Sequence, residues 1–258
     1  MSHKILKECL GMIDLTTLNT TDTFNKVESL VQKVNNFSQN FPGYPDVAAI
    51  CVYPNFASAV KKSLTRPDVQ IAVVGGVFPN SQSFTEIKVM ECRMASQAGA
   101  DEIDIVLSLN YFLGGDYEKA AGEITQIKEA IGEAHLKVIL ETGAIKESDK
   151  IYEASMLAMR AGADFIKTST GKLEPAATPE AAEAMCRAIR DFYESTGKRV
   201  GFKPAGGIVT TADAIQYYKI VESILGEEWL NSKLFRIGAS RLANNILSEL
   251  ESKEISYF

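Results

Sequence analysis

Ala98-Gly99-Ala100-Asp101-Glu102-Ile103-Asp104-Ile105-Val106 and Ala161-Gly162-Ala163-Asp164-Phe165-Ile166-Lys167-Thr168-Ser169 open with the same four residues, and each then enters a short apolar run interrupted by charge. Both phrases follow segments of helical spacing, so the shared glycine reads as the left-handed cap that ends a helix before a buried strand. Working outward, the same alternation continues along the whole chain. Eight strands are expected, at Ile13–Leu18, Val47–Tyr53, Gln70–Phe78, Glu102–Ser108, Leu136–Glu141, Asp164–Ser169, Arg199–Lys203 and Leu234–Gly238. Between them lie helical patterns such as Ser83–Ala98, Tyr117–Gly132, Lys146–Ala161, Pro179–Thr196 and Ala212–Leu225. Thr178 before Pro179 reads as an N-cap followed by proline at the first helical position, and Thr211 takes the same capping role before Ala212.

Strands alternating with helices imply a parallel sheet with right-handed crossovers, either closed into a barrel or open and doubly wound. Eight units, in a chain of 258 residues, favour the α/β class and a (β/α)8 TIM barrel, whose typical length is ~250 residues. No G-x-G-x-x-G follows the first strand and no Pro-, Gly- or Ser-rich linker divides the chain, which removes the main support for a dinucleotide-binding sheet. The expected organisation is one barrel domain over residues 1–258, with a mobile C-terminal tail at 252–258.

A hydrophobic share of 46% and a charged share of 23% are those of an ordinary soluble globular protein. No apolar run reaches the ~20 residues of a membrane span, and the opening MSHKILKECLGMIDL lacks the apolar core of a secretory leader. The expected compartment is the cytoplasm. A net charge of −6 argues against electrostatic binding of nucleic acid, which relies on basic surface displacing counterions. Cys9, Cys51, Cys92 and Cys186 are scattered without a C-x-x-C, so free thiols are expected.

In a barrel of this kind the site is built at the carboxyl ends of the strands. Four strands carry charge there: Glu102 and Asp104 on one face of strand four, Lys137 and Glu141 on strand five, Lys167 on strand six and Lys203 on strand seven. Burying an unpaired ammonium group costs several kcal/mol. Pairing with Glu102, Asp104 or Glu141 would account for any one lysine, but three lysines and three carboxylates on neighbouring strands point to a site.

The chemistry that wants this arrangement is imine formation. A lysine at its ordinary pKa of ~10.4 is only about one part in 2,500 neutral at pH 7, and only the neutral amine attacks a carbonyl. Lowering the pKa to ~7 means about 4–5 kcal/mol, which desolvation and a second cation supply. Lys167 and Lys203 fit the roles of nucleophile and perturbing cation, with Asp104 as the proton-transfer group. Spacing alone does not decide which lysine is the nucleophile.

Thr168-Ser169-Thr170-Gly171-Lys172, Ala205-Gly206-Gly207 and Gly238-Ala239-Ser240 follow strands six, seven and eight, where backbone N–H groups face an anion. No metal site is expected: the only histidines are His3 and His135, too few for a catalytic zinc centre. His135 reads as a surface loop residue and Trp229 as a packing anchor.

These segments together make the sequence resemble the deoxyribose-phosphate aldolase family, from Ile13-Asp14-Leu15-Thr16-Thr17-Leu18 to Gly238-Ala239-Ser240. The most specific matches are Gly99–Asp104, Lys137–Gly143, Asp164–Lys172 and Gly201–Gly207. The resemblance implies a class I aldolase without a cofactor, in which Lys167 forms the Schiff base, Lys203 lowers its pKa and Asp104 belongs to the proton relay. It implies reversible cleavage of 2-deoxy-D-ribose 5-phosphate to D-glyceraldehyde 3-phosphate and acetaldehyde, and so a role in carbohydrate and deoxyribonucleotide catabolism. It further places Asp14, Thr16, Cys51, Lys137 and Thr170 near the substrate, and Gly171, Lys172, Gly206, Gly207, Gly238 and Ser240 around the phosphate. The partners implied are phosphorylated sugars and aldehydes, not nucleic acid or membrane, and a homodimer is left open.

Three departures stand out. Val73–Pro79 carries one extra residue, which implies a bulge or altered loop after strand three. Val209 stands where some relatives have arginine, while Arg241 follows Ser240 where many have a small residue; this implies an arginine moved to the other side of the phosphate. Some relatives carry a terminal tyrosine that reaches the site, whereas here Tyr257 is followed by Phe258. The alternatives are a Schiff-base barrel aldolase for another sugar phosphate, a barrel that binds a sugar phosphate without turnover, and a pyridoxal phosphate enzyme.

Overall fold

Eight short parallel strands form the centre of the computed structural model, which describes residues 2–258. The strands are β1 (Ile13–Thr16), β2 (Ala49–Val52), β3 (Gln70–Val74), β4 (Glu102–Val106), β5 (His135–Ile139), β6 (Phe165–Lys167), β7 (Gly201–Lys203) and β8 (Ile237–Ala239). They pair in the order β7-β6-β5-β4-β3-β2-β1-β8. The remaining seam closes through parallel bridges Phe202–Phe235 and Ala205–Gly238, with Arg236 N donating to Phe202 O at 3.0 Å and Gly238 N to Pro204 O at 2.9 Å. This is the expected (β/α)8 barrel.

Each strand is followed by a helix that covers it: α1 (Phe24–Asn35), α2 (Ala57–Ser63), α3 (Thr85–Gln97), α4 (Tyr117–Ala130), α5 (Ser148–Arg160), α6 (Pro179–Thr196), α7 (Thr211–Leu225) and α8 (Leu242–Leu250). The strand period of two sorts the residues into two layers. Ile13, Leu15, Ile50, Ile103, Val138 and Ile166 belong to the main core beneath the helices. The alternate set faces the barrel axis. On β2 and β3 that set is small and apolar, with Ala49, Cys51, Ala72 and Val74 in a separate cluster, which leaves room for long charged side chains from the opposite strands.

The repeated Ala-Gly-Ala-Asp phrase has a structural cause. Gly99 and Gly162 adopt φ of +100° and +108°, and a side chain at either would meet the stem of Lys61 or Lys128, respectively. The aspartates that follow accept the first free N–H of the neighbouring strand: Asp101 from Ile71 N at 2.9 Å and Asp164 from Leu136 N at 2.8 Å.

Thr178 caps α6 as expected, its hydroxyl accepting from Ala181 N at 3.2 Å with Pro179 next. The cap of α7 is Thr210, not Thr211. Thr210 Oγ1 accepts from Asp213 N and Asp213 Oδ2 accepts from Thr210 N, a reciprocal box that requires a spacing of three residues. Strand three is shorter than expected: Gly75 N still donates to Asp104 O, but Gly76 and Val77 take positive φ and turn the chain out of the sheet.

Candidate active site

Register brings the charged positions together. Lys167 on β6 lies directly beside Lys203 on β7, and Asp104 on β4 beside Lys137 on β5. Asp104 Oδ2 accepts from Lys167 Nζ and Lys203 Nζ, each at 2.8 Å, while its Oδ1 accepts from Lys137 Nζ at 3.1 Å. Below this layer Lys137 Nζ also reaches Glu102 Oε2 at 2.5 Å, and Lys203 pairs with Asp14. Asp14, Asp104, Lys137 and Lys203 are fully buried; Lys167 retains 4% exposure.

The environment splits the three lysines. Burial pulls the Lys167 amine below the ordinary ammonium range; Asp104 opposes the shift and Lys203 adds to it. Burial acts on Lys203 in the same sense, but Asp104 and Asp14 together outweigh it and hold that group above its usual value. Lys137 is likewise raised, by Asp104, Glu102 and Asp14 against burial. Burial opposes ionisation of Asp104, yet Lys137, Lys167 and Lys203 keep its carboxyl well below the usual range. Lysines of nearly equal burial are therefore pulled in opposite directions because they differ in carboxylate neighbours.

Above Lys167 a cavity of about 390 Å³ opens at the carboxyl ends of the strands. Thr16, Lys167, Thr170, Gly171, Lys172, Gly206, Gly207, Gly238 and Ser240 line it, together with Val209 and Arg241. Asp14, Cys51, Asp104, Lys137 and Lys203 do not; they lie beneath its floor, fully buried. A larger groove of about 630 Å³ runs between α4 and α5, lined by Phe112, Tyr117, Tyr152 and Met156. It gathers none of the inward-facing charges, which leaves the barrel mouth as the candidate site.

The rim is held by its own hydrogen bonds. Thr168 Oγ1 accepts from Ala205 N and donates to Ala205 O, stapling the β6 loop to the β7 loop. Gly206, at φ +86°, packs so closely on Gly171 and Ala176 that a Cβ would lie 2.7 Å from Ala176 Cβ. Lys172 Nζ reaches across the mouth to Leu18 O at 2.8 Å. Glu141 is not an ion-pair partner of the lysines: its carboxylate accepts from Thr170 N at 3.1 Å and from Thr170 Oγ1 at 2.6 Å, and so fixes that loop.

Arg236 is the charged residue of the interior that sequence reasoning misses. It lies inside the barrel at 4% exposure and bridges Asp14 Oδ1 at 2.6 Å to Glu102 Oε1 at 2.7 Å. A signal for it exists, since a charge between Phe235 and Ile237 is as anomalous as Lys167 between Ile166 and Thr168. His135 opens β5, its side chain 57% exposed. Trp229 is buried, with Nε1 donating to Val200 O at 3.0 Å. Tyr257 stands outside the site. Its hydroxyl donates to Lys33 O at 2.7 Å, near the end of α1 that leads into the start of β2, and its ring packs on Phe41 and Phe258.

Residues 9–223 match the model of the DeoC/LacD family aldolases. The chain belongs to that aldolase family. Over 256 residues this aldolase is 42% identical to the deoxyribose-phosphate aldolase of Mus musculus and 41% identical to that of Homo sapiens, in each case covering 93% of this chain and 79% of the relative. Among solved structures, QR15, an aldolase, is 27% identical with a TM-score of 0.75, covering 94% of this chain and 96% of that one. Among the described residues of the aldolase, no group of three or more His, Cys, Asp or Glu is arranged to hold a metal ion.

Proposed function

We propose that this aldolase cleaves 2-deoxy-D-ribose 5-phosphate reversibly to D-glyceraldehyde 3-phosphate and acetaldehyde through an imine on Lys167. The observation that carries this reading is the division of labour among the lysines: only Lys167 both lines the cavity and has its amine pulled towards the neutral form. The names of the mouse and human relatives supply the substrate.

The neutral Lys167 amine attacks the aldehyde carbon, and the nitrogen gains positive charge as the C–N bond forms. Asp104 Oδ2, 2.8 Å away, takes a proton from that nitrogen and passes it to the alkoxide, giving the neutral carbinolamine; a second proton, from solvent, then turns the hydroxyl into water, whose departure leaves the protonated imine. The protonated imine then accepts the electron pair of the breaking C2–C3 bond, while the C3 hydroxyl loses its proton to solvent. Glyceraldehyde 3-phosphate departs, and an enamine of acetaldehyde stays on Lys167. Protonation of its terminal carbon and hydrolysis release acetaldehyde and restore the amine. Lys203 remains a cation throughout and disfavours reprotonation of Lys167.

Gly171, Gly206, Gly207 and Ser240 direct their backbone N–H groups to the phosphate at the far end of the cavity, with Lys172 and Arg241 supplying positive charge; Gly238 lines the same wall, but its N–H stays in the barrel seam, donating to Pro204 O. We place the reaction in the catabolism of deoxyribonucleotide-derived sugar phosphate in the cytoplasm. No helix among the described residues is long and apolar enough to cross a membrane.

The test is chemical trapping. Protein incubated with acetaldehyde and reduced with borohydride carries a stable two-carbon adduct on Lys167, located by mass spectrometry, and Lys167→Ala carries none at the site. An adduct on Lys203 instead, or turnover persisting in Lys167→Ala, rejects the assignment.

A further inference from the structure

Seven ionisable groups share the barrel interior below the cavity. Four are cationic side chains, Lys137, Lys167, Lys203 and Arg236, and three are carboxylates, Asp14, Glu102 and Asp104. Cys51 is the other titratable group packed against them, and burial pushes its thiol up, so it stays neutral. His135 touches the group only from the opposite end, with Nδ1 3.9 Å from Glu102 Oε1. Glu141 is committed to Thr170, while Lys172, Glu174 and Arg241 sit at the outer rim of the cavity.

With every group ionised, the interior carries one positive charge too many, and in a medium poor in water that surplus is costly. Which cation gives up its proton depends on how the carboxylates are shared. A guanidinium does not deprotonate in proteins. Arg236 occupies Asp14 Oδ1 at 2.6 Å and both Glu102 oxygens at 2.7 and 3.1 Å. Lys137 keeps Glu102 and Asp104, and Lys203 keeps Asp14 and Asp104. Lys167 has Asp104 alone, on an oxygen already held by Lys203.

We infer that Arg236, which touches neither the cavity nor Lys167, is a positioning residue whose fixed charge makes Lys167 the surplus cation and so keeps its amine neutral. Without Arg236 the three lysines would match the three carboxylates one to one, and the freed oxygens of Asp14 and Glu102 would draw Lys203 and Lys137 away from Asp104. The Lys167 amine would then hold its proton. The downward pull on Lys167 and the upward pull on Lys203 agree with this order.

The inference rests on the imine reading of Lys167, and one experiment separates the two. The rate of borohydride-trapped labelling by acetaldehyde is followed from about pH 6 to about pH 10 in the full chain, with the label located on each variant. Arg236→Met is expected to raise the pH midpoint by about one unit or more, which cuts labelling near pH 7 about tenfold, with recovery in alkali. Arg236→Lys keeps the charge and is expected to stay near the parent midpoint. Glu102→Gln enlarges the surplus and lowers the midpoint, while Arg236→Met combined with Glu102→Gln restores the surplus of one and returns the midpoint towards the parent. A purely structural role for Arg236 would depress labelling at every pH and make the double variant worse than either single one.

An Arg236→Met midpoint equal to the parent's, or a double variant no closer to the parent than Arg236→Met, overturns the inference. If Arg236→Met does not fold, an unshifted or raised midpoint in Glu102→Gln overturns it equally, and a lowered one supports it. A parent never labelled on Lys167 at any pH refutes the imine reading itself.

Discussion

Lys167 and Lys203 donate to the same carboxylate oxygen, Asp104 Oδ2, each at 2.8 Å. Two ammonium groups on one oxygen repel each other, and only Lys203 has a second carboxylate, Asp14, to hold its proton. Replacing Lys203 by Met therefore raises the Lys167 pKa. Turnover near neutral pH is expected to fall by about tenfold for every pH unit that the profile moves, with partial recovery in alkali. A pH–rate profile for Lys203→Met displaced in neither direction would show that the neighbour does not tune the nucleophile.

Asp104→Asn leaves Lys137, Lys167 and Lys203 around a neutral amide. Loss of the proton carrier is expected to lower kcat by about 10²–10⁴. The change in KM should be much smaller, since Asp104 lies beneath the cavity and not on its wall. Steady-state kinetics on the phosphorylated sugar checks the split, and a loss confined to KM would place Asp104 in binding.

Arg241 lines the cavity, and among the described residues its guanidinium makes neither a hydrogen bond nor an ion pair. An unpaired guanidinium at the rim suits a phosphate. Arg241→Ala is expected to raise KM for 2-deoxyribose 5-phosphate about tenfold or more while leaving the unphosphorylated sugar much less affected. Equal changes for both substrates would remove Arg241 from the phosphate site.

The buried carboxylates make a prediction about acid stability. Asp14 and Asp104 lie below their usual range, and Glu102 falls to about 2, where burial opposes ionisation but Lys137, the His135 hydrogen bond and Arg236 favour it. Because the folded chain binds these protons more weakly than the unfolded one, their contribution to stability is complete above the unfolded pKa of about 4. It is lost as the pH falls through the folded values, towards and below about 2. The urea midpoint of Glu102→Gln, measured against the parent, should therefore show a deficit at neutral pH that closes in this acid window; a deficit independent of pH would contradict it.

Gly201 faces the ring of Phe165, and a Cβ there would lie 2.2 Å from a ring carbon. That ring lies 5.7 Å from the Arg236 guanidinium and 5.9 Å from Lys137 Nζ. Gly201→Ala is expected to destabilise the fold by about 1–3 kcal/mol through overpacking, read as a lower denaturant midpoint at constant slope. A neutral result would mean that the ring has an alternative place.

The C-terminal segment is tied back along α8, with Tyr257 N and Phe258 N both donating to Asn244 Oδ1 at 3.0 and 2.9 Å. Removing the Tyr257 hydroxyl should cost about 1 kcal/mol of stability through its bond to Lys33 O. Exchange of the acetaldehyde methyl protons with deuterated water, followed by NMR, should continue in Tyr257→Phe. Its loss would show that the tail leaves this position and reaches the site, as a mobile tail would.

Much of this protein is legible in one dimension because its signals are local. Alternation with period two marks the buried strands, glycine with positive φ marks the helix ends, and lysine or aspartate inside an apolar run marks the site. Strand ends read too long, as at Thr168 and Ser169, because alternation persists beyond the point where the neighbouring strand stops pairing. Glu141 reads as an ion-pair partner in one dimension, yet its backbone is left-handed, at φ 56°, which turns its carboxylate to Thr170.

The sequence by itself determined that this chain closes eight βα units into a barrel, with Lys167, Lys203 and Asp104 facing its axis. Only the tertiary structure decided which carboxylate oxygens each cation reaches, and so the direction in which each group is pulled. Protonation inside a closed barrel depends on which oxygen each cation reaches across strands far apart in the chain, as Arg236 reaches Asp14 and Glu102. Such distances are set by register and closure, and no local pattern encodes them.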